Sequence, residues 1–255
     1  MTLPQTVPEV IEALGAFIQE AEAANSRLGL FPALYRKVTV RVHEGIRQGR
    51  FQDGERMARL DVAFANRYLE AYDAYRNGRP CGACWRVAFD ATHRWRPMVL
   101  QHLLLGMAAH IQWDLGVAAA TVAPGAELPG LKADFMAINA LLGELLDEVQ
   151  AELDHLSPWM RALDLAAGNL DEALARFGMD AARDGAWRFA EALANIPEAD
   201  RPARIAEADQ AVAALARGIL SPGLLLSTLC LLARLAERAS PREAIRILAG
   251  PVQGR

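Results

Sequence analysis

The sequence is short of cysteine, of positive charge and of unbroken apolar runs, and each shortage removes a class of protein. Three cysteines in 255 residues cannot all pair. A chain of this length can bury its own core, so a disulfide scaffold is not expected. Lys and Arg number 27 against 31 Asp and Glu, a formal charge of -4. No global field then draws a phosphate backbone, and nucleic acid is not an expected partner. The longest apolar stretch, Met98 to Ala123, is interrupted by Gln101, His102, His110, Gln112 and Asp114, while Gly218 to Ala233 is short and contains Ser221 and Pro222. Neither supplies a clean span of about 20 apolar residues, so no membrane partner is expected. The first residues carry Glu9, Glu12, Glu20 and Glu22 with no positive flank before an apolar run. That is not the pattern of a signal peptide, and cytoplasmic residence is the expectation.

Familiar catalytic signatures are missing as well. There is no Gly-x-Gly-x-x-Gly after a strand, no phosphate loop, no Gly-x-Ser-x-Gly turn and no His-Glu-x-x-His. Cys81 and Cys84 form a Cys-Gly-Ala-Cys at the start of an expected helix. No second pair completes four zinc ligands and no βαβ pattern accompanies it, so small residues in a tight helix approach are the favoured reading. Cys230 reads as core filling.

What the chain has is helix. Hydrophobic residues make up 53%, and Ala, Leu, Glu and Arg recur at intervals of three and four with little strict alternation. Helices are expected from about Val7 to Ala24, Phe31 to Gln48, Gly54 to Arg76, Ala83 to Thr92, Pro97 to Ala120 and Leu131 to Leu153. Further apolar segments follow at Trp159 to Ala167, after Gly168 or Asn169, and around Trp187, and later helices at Arg201 to Leu220 and Leu224 to Arg238. Ser240-Pro241-Arg242-Glu243 reads as cap and first turn of a last short helix ending at Gly250. The expected fold is all-α, a single-domain multi-helix bundle or orthogonal array over residues 1–255. Residues 28–150 form its motif-bearing part, and 151–255 supply additional packing helices.

The most informative feature lies in the fifth helix, where His102, Gly106, His110 and Asp114 stand at four-residue steps in an apolar segment. Each step advances an α-helix by about 400° and about 6 Å, so the four form one drifting stripe. His110 and Asp114 have the spacing of a helical ligand pair, while His102 starts about 12 Å from His110 and needs another task. Gly106 removes a side chain at a helix cost of about 1 kcal/mol, which points to a close approach to the backbone.

A metal site needs ligands from other helices. Asp61 stands beside Met57, Leu60, Phe64 and Tyr68, where an unpaired carboxylate carries a large desolvation penalty. Asp134 stands similarly beside Phe135, Ile138 and Leu141. Asp61, His110, Asp114 and Asp134 together would suit a divalent metal, zinc, iron or manganese, that activates a water. Tyr68, Gly106 and Trp113 would line the pocket. The alternative is structural: His110 and Asp114 a hydrogen-bonded pair, His102 an interior histidine, and Asp61 in an ion network with Arg67, Lys37 or Arg41.

The blocks LYRKVT at 34–39, FANRYL at 64–69 and QHLLLGMAAHIQWDLG at 101–116 resemble an uncharacterised bacterial family of helical proteins, designated a domain of unknown function. The resemblance covers roughly residues 28–150. It implies a soluble helical domain containing Asp61, His102, His110 and Asp114, and it implies no particular reaction. This chain departs from the family pattern at Ala108 and at Gln112-Trp113. The functional expectation is a metal-dependent hydrolase or lyase acting on a small, partly apolar substrate, with His102 as its catalytic proton-transfer or substrate-positioning group. The alternative is a non-catalytic helical interaction or ligand-binding protein, a homodimer through the Leu-rich C-terminal helices being its candidate assembly.

Overall fold

A computed structural model describes residues 2–156 and 178–250, and every described element is helical. Helix α1 spans Val7–Ala23, α2 Leu30–Arg47, α3 Gly54–Arg76 and α4 Ala83–Thr92. A long rod follows as α5, Val99–Ala109, a π turn over His110–Asp114 and α6, Leu115–Val122. Then come α7, Leu128–Leu156, α8, Met179–Ala194, α9, Arg201–Leu220, α10, Leu224–Ala236, and α11, Pro241–Ala249. The expected segments at Trp159 to Ala167 and after Gly168 or Asn169 lie outside the described residues.

Local chemistry sets most boundaries. Thr6 accepts from the Glu9 N–H to cap α1, and Asp53 accepts from the Arg56 N–H at 2.8 Å to cap α3. At α11, Ser240 and Glu243 form the reciprocal capping box that the sequence announced. Pro32 sits in the first turn of α2, where its missing N–H is not needed. Other helix starts are capped by distant side chains. The Asp209 carboxylate of α9 accepts from the N–H groups of Ala83 and Cys84 at 2.6 and 2.8 Å, and Glu237 accepts from the Val99 N–H at 2.9 Å. These tie the late helices to the central ones.

The α5–α6 rod runs through the interior. Leu103, Leu105, Ala108, Ala109, Leu115 and Ala119 are buried on its several faces. The span Val99–Val122 is long and apolar enough to cross a membrane by length and composition, but 67% of its apolar window is buried inside the protein. Its apolarity serves packing against neighbouring helices. At the far end, Ile245 and Leu248 of α11 pack with Ile18 and Ala21 of α1 and Leu30 and Ala33 of α2, so the C-terminal helix shares a core with the first two. On α10, Leu224, Leu225, Leu232 and Leu235 stay exposed.

Candidate functional site

The sequence expects a straight fifth helix, and the rod departs from it where the polar residues sit. Between His110 and Asp114 the bonding widens, the Leu115 N–H reaching back five residues to the His110 carbonyl. Such π turns insert one residue into an α-helix and reorient the side chains around it. Here the result is a buried acid at the meeting point of three donors. Asp114, fully buried, accepts from Arg67 Nε at 2.8 Å, from Trp85 Nε1 at 2.9 Å and from His110 Nδ1 at 3.2 Å. Because Asp114 can only accept, the His110 proton sits on Nδ1, and Nε2 is left as an acceptor. Burial drives the His110 pKa down, which keeps the ring neutral.

His110 is wrapped in rings. Phe64 stacks on it with centroids 3.6 Å apart, and Tyr35 meets it edge-on at 4.4 Å. Beside this cluster opens a cavity holding about 150 Å³ of solvent-sized space. It is bounded by Phe31, Tyr35 and Val38 from α2, Met57, Leu60, Asp61 and Phe64 from α3, Met107, His110, Ile111 and Leu115 from the rod, Ile138 and Leu142 from α7, and Arg183 from α8. Among the described residues its wall is apolar apart from Asp61, His110, the Tyr35 hydroxyl and Arg183. The Arg183 guanidinium stacks 4.6 Å over the Phe135 ring and donates to the Phe135 carbonyl and to Asn139, all on α7.

Asp61 differs from every other buried acid around it. No hydrogen bond or ion pair from a described residue reaches it, and burial pushes its carboxyl up to about 7. The ion network expected as an alternative does not form. Arg67 pairs with Asp114, Lys37 with Glu148 and Glu152, and Arg41 with Glu44. Tyr35 Oη, Tyr68 Oη and His110 Nε2 are also buried without a hydrogen-bond partner among the described residues.

The expected metal set does not assemble. Asp114 is committed to its three donors. Asp134 accepts from the Gln52 and Asp53 N–H groups at 2.6 and 3.0 Å and from Arg56 Nη2 at 3.3 Å, pinning the α2–α3 turn to α7. Among the described residues no three His, Cys, Asp or Glu side chains are grouped to hold an ion.

His102 faces a different space. It lines a small cavity of about 20 Å³ with Arg27, Tyr68, Trp85 and Gly106, and burial, aided by Arg27 and Arg234, pushes its pKa down to about 3. Phe31 lines both cavities and stands between them, its ring seated on Gly106. The close approach inferred at Gly106 is therefore that of Phe31. A Cβ there would overlap the ring, so Gly106→Ala is expected to lower stability by about 1–3 kcal/mol despite the better helix propensity of Ala. Chemical denaturation measures it, and a variant as stable as the parent would show that Phe31 moves freely. Trp113 is outside both cavities. Its Nε1 donates to the Ile205 carbonyl at 3.0 Å, and its ring lies under Arg67.

Sequence reasoning passed over Phe31 and Tyr35 as site residues and offered Arg67 as a partner of Asp61, whereas it pairs with Asp114. Phe64 had a signal, its three-residue spacing from Asp61 on one face of α3. The α2 residues had none, because the helix that packs over Asp61 is a property of the tertiary structure. Cys81 and Cys84 are free and buried, and burial raises both thiols, which fits small residues packed at a helix start.

Fold and site define an all-helical protein with an apolar cavity between its helices and, among the described residues, one unpartnered acid in its wall. The chain belongs to a family of unknown function, DUF5995, whose pattern it matches over residues 7–222. No curated protein and no solved structure matches it.

Proposed function

We propose that the protein binds a small, mainly apolar molecule that carries one polar end, in the cavity between α2, α3, the π turn, α7 and α8. The observation that carries this reading is the cavity itself, with about 150 Å³ of space, an apolar wall and an acid without a protein partner. A cavity of about that size lined by Leu, Ile and Phe is known to take benzene. Binding sites for small molecules combine an apolar wall with a few placed polar groups. Asp114 contributes by fixing His110 rather than by touching the ligand. The metal-dependent hydrolase or lyase reading has less support, since Asp114 and Asp134 are committed to N–H donors and His102 serves another cavity. Free thiols at Cys81 and Cys84 suit a reducing compartment such as the cytoplasm.

Toluene tests the reading. It is expected to raise the melting temperature in a concentration-dependent way, as a ligand that binds only the folded state must. Ile138→Phe, which fills the cavity from α7, should abolish that shift while leaving the protein folded. A parent protein indifferent to toluene would remove the proposal.

A further inference from the structure

Two acceptors in the cavity wall, the Asp61 carboxylate and His110 Nε2, receive no donor from the described residues on their cavity side. Asp61 receives nothing from the described protein. His110 Nε2 is held as an acceptor because Nδ1 is turned to Asp114, and the Tyr35 hydroxyl, which can donate or accept, has no hydrogen-bond partner among the described residues. The cations on the surrounding helices are bonded elsewhere: Arg67 to Asp114, Lys37 and Arg41 to glutamates, Arg56 to Asp134, and Arg183, which lines the cavity, to Phe135 and Asn139 of α7. The rings of Phe31, Tyr35, Phe64 and His110 stand around the same space. A donor-rich cationic head next to a carboxylate and several ring faces matches this set, because an ammonium has N–H donors and no acceptor, and aromatic faces attract cations. At Asp61 and His110 Nε2 a carboxylate or phosphate head would set acceptor against acceptor.

Resting on the binding reading above, we propose that the ligand is an organic ammonium, a protonated amine on an apolar body about the size of a benzene ring, paired with Asp61. The apolar body fills the space between α3 and α7, and the ammonium supplies the partner that Asp61 lacks. Among the described residues, the titratable or charged groups facing this position are Tyr35 from α2, His110 from the π turn and Arg183 from α8, and the described α7 side chains at the cavity, Ile138, Leu142, Leu145 and Val149, are apolar. Arg183 is turned onto α7 by its bonds to Phe135 and Asn139. Asp61 must be ionised to pair, so affinity for an ammonium rises as pH climbs through about 7. It falls again only where the amine itself loses its proton, near the about 10 of alkyl amines.

Isothermal titration calorimetry of the full chain with benzylamine, benzyl alcohol and toluene, at about pH 8.5 and about pH 5.5, tests the assignment. At the higher pH benzylamine is expected to bind at least about tenfold more tightly than benzyl alcohol, and the difference should vanish at the lower pH. In Asp61→Asn, checked for folding by circular dichroism, the benzylamine advantage should disappear while toluene affinity stays within about threefold. Toluene binding with no benzylamine advantage, or an advantage that survives Asp61→Asn, overturns the ammonium assignment and leaves the cavity reading standing. Failure of all three probes overturns both. Stoichiometric uptake of Zn or Mn that Asp61→Asn abolishes, with benzylamine unbound, gives the acceptor set to a metal and likewise overturns the assignment.

Discussion

Replacing Asp61 by Asn is expected to make the protein more stable at pH 8 by up to about 4 kcal/mol and to leave it nearly unchanged at pH 4. The folded-state carboxyl is raised from 3.8 to about 7 because burial disfavours its charged form. A raised carboxyl binds its proton more tightly in the folded protein than in the unfolded chain. Below pH 4 both states are protonated and the group is neutral toward folding. Between about 4 and 7 the unfolded chain releases its proton first, so stability falls as pH rises, and above 7 the loss is complete. The rise from 3.8 to about 7 corresponds to about 4 kcal/mol. Asn has nearly the same shape and no proton to release in this range, so the parent and variant stability curves should converge in acid and separate toward pH 8. Urea unfolding at several pH values measures the separation. Parallel curves would mean that Asp61 finds a partner in solution or is hydrated. A gain of this size beside a lost ligand preference is the trade expected when a destabilising group is kept for binding.

The second large effect is expected at Asp114, with the opposite sign. Asp114→Ala removes the acceptor shared by Arg67, Trp85 and His110 in one step. Trp85 is 1% exposed and His110 2%, so neither freed N–H reaches water, while Arg67 keeps partial access. Leaving buried donors and a part-buried guanidinium unpaired costs about 3–5 kcal/mol, a large share of the stability of a domain. Asp114→Asn keeps one acceptor and should lose less, about 1–3 kcal/mol. Urea unfolding separates the two variants from the parent, and tryptophan emission reports the surroundings of Trp85. If Asp114→Ala unfolds at the parent midpoint, the three-donor lock does not hold the rod. The same variant frees the His110 ring, so loss of toluene binding at retained fold would show that the lock also shapes the cavity.

These two residues separate what was legible in the sequence from what was not. Helix positions were legible, because apolar spacing, Ser240-x-x-Glu243 and the Gly and Pro breaks act within a few residues of chain. Gly54–Arg76, Arg201–Leu220 and the cap of the last helix stand where spacing and caps put them. The burial of Asp61 and the pairing of His110 with Asp114 were also readable, one from its apolar neighbours and the other from its spacing. Their partners were not. Which of Arg67, Lys37 and Arg41 meets which acid depends on how α2, α3 and α7 cross, and that is set by packing between helices far apart in sequence.

The sequence by itself determined an all-helical chain with a polar ladder inside its most apolar rod, since helix periodicity and capping are local properties. The tertiary structure alone decided that the ladder divides between two cavities, with Phe31 seated on Gly106 between them. It also decided that Asp114 is locked while Asp61 stays unpartnered. The reason is geometric: the π turn reorients His110 and Asp114, and the side chains that satisfy or abandon each acid arrive from other helices, whose directions no local pattern encodes.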